Sequence, residues 1–384
     1  MTEAEDFGLS DELIAWRATV RDFFDREIGK EYVRYCDQAR EYPYKAYEAV
    51  ARQGWLGLTL PENMGGSGAD VLAHMVMLQE LGRYSVDFGV VFALPMFTVT
   101  NIVNHGSPAQ QERYLGPFVE GKVRFSISIT EPEAGSDVAA VSTRAELRGD
   151  TFVVNGTKLY SSAAHVRDNV ICALVRTDPS SRGREGLSVL LIPNDSSGLT
   201  ITRLPTVARR ATGTTQLFFQ DVEVPYGNLL GQIGHGWDLI MEHLEHERLS
   251  VSALYAANAQ QAVAVALEYA QQRVQFGKTI GHFQVIKHGL AQMQTDADAA
   301  TLMVTRAARL LADGKPALRE VSMAKLIASE TLYKVASEGM QILGGAAQLP
   351  DMDMERFWRE GKQGMVGGGS SQIQRSIVAK TMGL

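Results

Sequence analysis

The chain has 384 residues, 45% of them hydrophobic, enough to bury a large core and to form two or three domains rather than one. Its net charge of −7, with no lysine-rich or arginine-rich block, gives no electrostatic drive toward nucleic acid. The two cysteines, Cys36 and Cys172, stand far apart without close-spaced partners, which supports neither a disulfide framework nor a cysteine-rich zinc site and makes a reducing cytoplasm the natural setting.

The first residues, Met1-Thr2-Glu3-Ala4-Glu5-Asp6, are acidic and lack the apolar segment of a secretory signal. After Ser10, a good N-cap residue followed by Asp11 and Glu12, the residues Leu13, Trp16, Val20, Phe24 and Ile28 recur at spacings of three and four and predict a helix. Similar patterns predict helices over 45–53 and 72–81, separated by the turn-rich run Pro61-Glu62-Asn63-Met64-Gly65-Gly66-Ser67-Gly68. Residues 88–103 are the most apolar stretch, but Pro95, Thr98, Thr100 and Asn101 interrupt it, so it reads as a buried wall and no membrane insertion is expected.

The texture changes near Ser126. From there to about Gly231 the apolar residues gather in short runs such as Phe152-Val153-Val154 and Val170-Ile171-Cys172-Ala173-Leu174-Val175. Gly149-Asp150, Asn155-Gly156 and Asn194-Asp195 punctuate these runs as turn formers, which predicts hairpins closing into a barrel or sandwich. After Gly236 helical periodicity returns over 237–273, 282–313 and 318–343. The expected organisation is thus α+β and multidomain, with a helical domain over 1–125, a β domain over 126–235 and a helical domain over 236–384. Helices, strands, then helices is not the alternating pattern of a doubly wound nucleotide fold, and neither G-x-G-x-x-G nor Walker A occurs. Any nucleotide cofactor must be held by other means.

Thr130-Glu131-Pro132-Glu133-Ala134-Gly135-Ser136-Asp137 resembles the signature of acyl-CoA dehydrogenases, and three further segments agree with it in the family's order. They are Asn155-Gly156-Thr157-Lys158-Leu159-Tyr160-Ser161-Ser162, Arg273-Val274-Gln275-Phe276-Gly277 with Phe283-Gln284, and Gln341-Ile342-Leu343-Gly344-Gly345; the tail from Gly368 to Arg375 is also family-like. The resemblance implies an N-terminal α-helical domain, a middle β-barrel and a C-terminal four-helix bundle, with FAD lying between barrel and bundle. It implies that Ser128, Thr130, Gly135, Ser136, Tyr160 and Ser162 flank the isoalloxazine ring, where hydroxyls and backbone amides meet the charge that a hydride brings. Tyr160 stands where the family usually has tryptophan and Ser162 where it usually has threonine. By the same resemblance Arg273, Phe276, Gln284, Gln341, Gly344 and Gly345 grip the pyrophosphate and adenosine end, partly from a neighbouring subunit, and Ser370 and Gln372 of the tail also serve the cofactor. A homotetramer is usual in the family.

Many members carry the catalytic glutamate at a position that here is Gly368, flanked by Gly367 and Gly369. Glycine cannot abstract an α-proton. A second family location, of the isovaleryl-CoA dehydrogenase type, places the glutamate before an arginine on the first long C-terminal helix, and Glu247-Arg248 fits it. Independently, Ile240, Leu244, Glu247, Val251 and Leu254 recur at helical spacing, so Glu247 sits on an apolar stripe where lost hydration favours a base near neutral pH. A glutamate simply paired with an arginine, or capping a neighbouring helix, is the alternative. The resemblance assigns Ser136, Leu244, Arg248, Gly368 and Gly369 to the substrate, with the Gly368 N–H facing the thioester oxygen. His243 and Glu247 are four apart and raise a metal reading, but two ligands are not a site, and His243 and His246 are expected at the surface or a pocket rim.

Cys36-Asp37, Glu245-His246-Glu247-Arg248 and Arg356-Phe357-Trp358-Arg359 resemble the crotonobetainyl-CoA reductase branch, which implies a short or polar acyl group and a possible reductive direction. The implied partners are an acyl-CoA substrate and an electron-transferring flavoprotein. Rival readings are a carrier-protein thioester, a flavin oxidase or monooxygenase on the same fold, and a non-catalytic nucleic-acid-associated relative, against which the acidic balance counts.

Overall fold

The computed structural model describes residues 7–181 and 183–384, so the acidic segment 1–6 lies outside the described residues. In chain order the first elements are α1 (Asp11–Glu27), α2 (Gly29–Ala39), α3 (Tyr44–Arg52), α4 (Val71–Gly82), α5 (Val86–His105) and α6 (Pro108–Val119). The strands follow: β1 (Arg124–Ser128), β2 (Arg144–Arg148), β3 (Thr151–Ser162), β4 (Asn169–Arg176), β5 (Leu187–Pro193), β6 (Leu199–Leu204), β7 (Thr214–Pro225) and β8 (Leu229–Leu230). Then come α7 (Gly236–Gln272), the hairpin β9 (Val274–Gln275) and β10 (Lys278–Thr279), α8 (Gln284–Ala312), α9 (Leu318–Leu343), α10 (Met354–Gly364) and α11 (Ser371–Thr381). The described residues pack as two compact units, one drawn from Met1–Gln38, Asp70–Val90 and Arg248–Leu384, the other from Ala39–Ala69 and Val91–Glu247.

In the first unit α9 packs against α8, α10 and α11. Its buried positions include Ala324, Ala328, Leu332, Val335 and Ala336, at the spacing that keeps one helical face turned inward. Ser10 caps α1 by accepting from the Leu13 N–H at 3.4 Å. The α1 face reads inward as its periodicity predicts: the Trp16 indole N–H donates to the Ala73 carbonyl at 2.9 Å, and the Phe24 ring meets those of Tyr84 and Phe88.

The second unit is built on one eight-stranded sheet in the order β6-β7-β3-β2-β4-β5-β8, with β1 parallel to β4. Strands β4 and β5 are buried along almost their whole length, which explains their unbroken apolar runs, whereas β7 alternates as a half-exposed strand does. The core joins Phe152, Val154, Ile171, Leu190, Leu217 and Phe219, each contributing about 1.5–3 kcal/mol by leaving water.

One local reading changes here, and another, the buried wall over 88–103, stands but without the expected interruption. Gly149-Asp150 does close the β2–β3 hairpin, but Asn155-Gly156 lies inside β3, where the register against β7 shifts. The reason is space: Gly156 has φ +149°, and a Cβ there would stand 2.6 Å from Thr143 Oγ1, so glycine serves close backbone approach in a bulge rather than a turn. The apolar run 88–103 forms one helix, α5, despite Pro95; it is the one described helix long and apolar enough to cross a membrane, and 89% of that stretch is buried in the protein. Proline removes the N–H that would bond the Val91 carbonyl, and the Tyr42 hydroxyl donates to that carbonyl instead, at 3.4 Å.

Candidate active site

In the sheet unit, the ends of β1 and β3 bring together four of the residues expected around a flavin. The Ser128 hydroxyl lies 2.5 Å from that of Ser161, and the Thr130 carbonyl accepts from the Leu159 N–H at 2.8 Å. Ser161 turns inward and its neighbours outward: Ser162 is half-buried and Tyr160 is 60% exposed. Tyr160 sits where β3 slips against β7, with φ +59°, a left-handed conformation costly for an aromatic residue. Gly135 and Ser136 lie on the exposed tip of the loop between β1 and β2.

This loop rests on a pair that the sequence reading did not single out. Lys158, fully buried in β3, donates to the Glu131 carboxylate at 2.8 Å and to the Ile129 carbonyl at 3.0 Å. Glu131 also accepts from the Ser142 N–H and hydroxyl and from the Thr143 N–H, at 2.7–2.8 Å. Burial alone would raise this carboxyl, but Lys158 and these donors more than offset it and hold it down at about 2. The only hint in the sequence was two opposite charges, each inside a motif. With both satisfied internally, the outward groups are neutral hydroxyls, backbone amides and an aromatic ring, a donor set that fits a flavin edge.

Also in this unit, α5 and the start of α7 are stapled by polar side chains. The Asn104 amide donates to Glu242 at 2.6 Å, and His105 Nε2 lies 2.9 Å from the same carboxylate. One residue on, Asn101 Nδ2 lies 2.8 Å from His243 Nδ1, and the Phe97 ring meets the imidazole edge-on at 5.2 Å. His243 Nε2 points to Glu247 Oε2, 3.6 Å away. His243 is fully buried, not at a surface or pocket rim as expected, because α5 covers that face of α7; His246 is half-buried, with burial holding its imidazole below the ordinary value. Among the described residues no group of three His, Cys, Asp or Glu side chains is placed to hold a metal. Leu94, Met96 and Leu244 are buried, and the Glu247 side chain is 19% exposed.

In the helical unit the remaining expected residues form three sets. The glycine tail is gripped by its carbonyls: Lys325, fully buried in α9, donates to those of Gly364 and Gly369 at 2.7 Å each. Gln374 donates to those of Gly368 and Gly369 at 3.1 Å, and Arg248 Nε to that of Gly368 at 3.3 Å. Gly368 and Gly369 have φ +64° and +91°, which other residues adopt only with strain. Ser370 caps α11, accepting from the Ile373 N–H, and Gln372 is exposed beside it.

The second set is the β9–β10 hairpin. Phe276 and Gly277, at φ +52° and +77°, make a tight turn that leaves Phe276 92% exposed against the edge of Phe283, with exposed Arg273 at one foot and Gln284 at the start of α8. The third is Gln341, Gly344 and Gly345 at the end of α9, exposed, with open space where a Cβ would stand on either glycine.

The acyl-CoA dehydrogenase N-terminal domain family matches residues 10–122, the middle domain family 126–222 and the C-terminal domain family 234–383. A probable acyl-CoA dehydrogenase of Bacillus subtilis is 33% identical over 98% of this chain and 99% of its own length. A subunit of the caffeyl-CoA reductase–Etf complex of Acetobacterium woodii is 32% identical over 94% of this chain and 96% of its own. The solved butyryl-CoA dehydrogenase of Megasphaera elsdenii superposes with a TM-score of 0.92 at 29% identity, over 99% of this chain and 100% of that one. With its helical, sheet and helical regions matched in order over nearly its whole length, the chain belongs to the acyl-CoA dehydrogenase family.

Proposed function

We propose that Glu247 is the general base of this FAD-dependent oxidoreductase, which acts on a CH–CH bond of an acyl-CoA thioester by dehydrogenation or the reverse reduction. In the forward direction the Glu247 carboxylate takes the α-proton, the electrons of that C–H bond form the α,β double bond, and the β-hydrogen leaves as hydride. FAD, when bound, supplies the hydride acceptor. The observation that carries the reading is Glu247 itself, a mostly buried carboxylate facing an imidazole nitrogen at 3.6 Å, in a chain whose other family position for the base is Gly368.

Gly368 is assigned a different task, donating its N–H to the thioester oxygen as charge builds there, with its carbonyl held by Arg248 and Gln374 and that of Gly369 by Lys325. Arg248 and Gly369 thereby shape the substrate side of the tail, and Leu244 and Ser136 complete the substrate contacts. The set around Thr130, Tyr160 and Ser162 holds the flavin ring, and the sets around Arg273 and Gly344 hold its pyrophosphate and adenosine end. Exposure of Phe276, Val274 and Val285 is what supports completion of this end by a neighbouring subunit in a homotetramer.

The proposal includes domain boundaries at 126 and 236, a base placed as in the isovaleryl-CoA dehydrogenase and crotonobetainyl-CoA reductase types, and a short or polar acyl group. It also takes an electron-transferring flavoprotein as redox partner, in line with the Acetobacterium woodii relative, and a cytoplasmic setting, in line with two buried cysteines that are not disulfide-bonded. The test is anaerobic flavin bleaching across a panel of acyl-CoAs with wild type and Glu247→Gln. Bleaching by at least one short acyl-CoA, abolished in the variant, is expected; bleaching by that acyl-CoA at the wild-type rate in the variant would overturn the assignment.

A further inference from the structure

We propose that His243 is a positioning residue for the base. Held in a single tautomer by Asn101, it directs its Nε2–H at the Glu247 carboxylate. The inference rests on the reading of Glu247 as base and adds to it the device that aims it.

The chain of atoms is short. Asn101 Nδ2 lies 2.8 Å from His243 Nδ1; an amide nitrogen carries only donors, so Nδ1 is the acceptor and the ring proton is on Nε2. Nε2 has no hydrogen-bond partner at ordinary distance although the residue is fully buried, and it faces Glu247 Oε2 at 3.6 Å. A fully buried ring with one nitrogen bonded and the other aimed, slightly long, at a carboxylate is a poor choice for packing alone, since a leucine would fill the space without an unmet donor. It is a good choice for a group whose carboxylate must change protonation state. The N–H···O contact can tighten while the carboxylate is charged and relax once the α-proton has arrived.

The surroundings make the aim rigid. Phe97 closes the ring edge at 5.2 Å, and Asn101 is 3% exposed. Glu242, the residue before His243, is tied to Asn104 and His105 of α5, so the turn of α7 that carries the imidazole cannot rotate independently. The i, i+4 spacing of His243 and Glu247 that raises a metal reading in the sequence is the spacing that stacks a donor over a carboxylate on one helical face.

The experiment is steady-state kinetics of the holoenzyme with its best acyl-CoA, unlabelled and α-deuterated, for His243→Leu, His243→Gln and Asn101→Leu, each in the wild-type and Glu247→Gln backgrounds. Glutamine keeps an amide N–H near the place of Nε2. For His243→Leu we expect kcat to fall by roughly 10- to 100-fold, the cost of a misaimed base, with KM nearly unchanged and a larger α-deuterium isotope effect. His243→Gln should recover most of the loss, Asn101→Leu should show a smaller fall of the same kind, and in the Glu247→Gln background His243→Leu should cost nothing further. A wild-type kcat and isotope effect in His243→Leu would overturn the proposal while leaving the base assignment standing. So would an equal loss in both backgrounds, which is what damage to the fold alone produces, and so would a glutamine variant no better than leucine. Wild-type turnover of Glu247→Gln would instead remove the reading on which the proposal rests.

Discussion

Two carboxylates, Glu131 and Glu247, each face a buried nitrogen base, and their settings differ in the way that separates structure from chemistry. Glu131 is 4% exposed and takes donors from Lys158, Ser142 and Thr143 at 2.7–2.8 Å, so its charge is locked and it holds a loop. Glu247 is more open, at 19%, and its facing imidazole stands at 3.6 Å. A carboxylate that must accept and release a proton cannot be saturated as Glu131 is, because strong donors would hold it too acidic to act as a base. The contrast teaches that burial and a nitrogen neighbour do not by themselves mark a catalytic carboxylate; one locked by close donors, as Glu131 is, holds structure.

The comparison is sharpest at Glu247. Glu247→Gln should lower kcat by roughly a thousandfold, within the usual range for loss of a general base, with thermal stability close to wild type. Glu131→Gln should leave a measurable α-proton step and act on stability and flavin retention instead; turnover lost while flavin remains bound would break the distinction.

Next in size is the lock itself. Lys158→Met strands the Glu131 charge and should cost about 3–5 kcal/mol in urea unfolding, whereas Lys158→Met with Glu131→Leu should recover most of it, because the pair's own desolvation offsets much of its attraction. Equal costs for single and double variants would mean that the loss is packing rather than charge.

Acid supplies a gentler probe. The folded Glu131 carboxyl, at about 2, lies below its ordinary value, so the unfolded chain takes up this proton first as pH falls. The stability contributed by Glu131 is therefore complete above about 4.5 and is lost as pH falls toward 2. Across that window wild type should accordingly lose stability relative to the Lys158→Met, Glu131→Leu double variant, which has no such carboxylate to protonate; parallel curves would contradict the locked state.

The smallest effect concerns a group with no task in either setting. Cys172 is fully buried in β4, and burial pushes its thiol up to about 12, so thiol reagents should label it only on unfolding. Labelling of the native protein at that cysteine would show that the sheet opens locally.

How much of this was legible beforehand follows from the range of the interactions. Helix periodicity is local, and the expected segment 318–343 coincides with Leu318–Leu343, while 45–53 and 72–81 differ from Tyr44–Arg52 and Val71–Gly82 by a single residue at each end. Glu247 stood out because its neighbours at three and four are apolar. Asn155-Gly156 was misleading because the same dipeptide serves a turn or a bulge, and only the approach of Thr143 decides. Lys158 and Glu131 are 27 residues apart, and Asn101 and His243 are 142 apart; nothing in either local stretch says which partner the fold will deliver. His243 was therefore read as a rim residue, when its partner on α5 makes it a buried one.

The claim on which the account stands is that Glu247 moves the α-proton. Deuterium incorporation at the α-carbon of a bound acyl-CoA, followed by NMR in anaerobic heavy water with flavin-loaded protein, reads that step without waiting for electron transfer onward. The account predicts steady incorporation with wild type and none above background with Glu247→Gln; incorporation at the wild-type rate in the variant would contradict it.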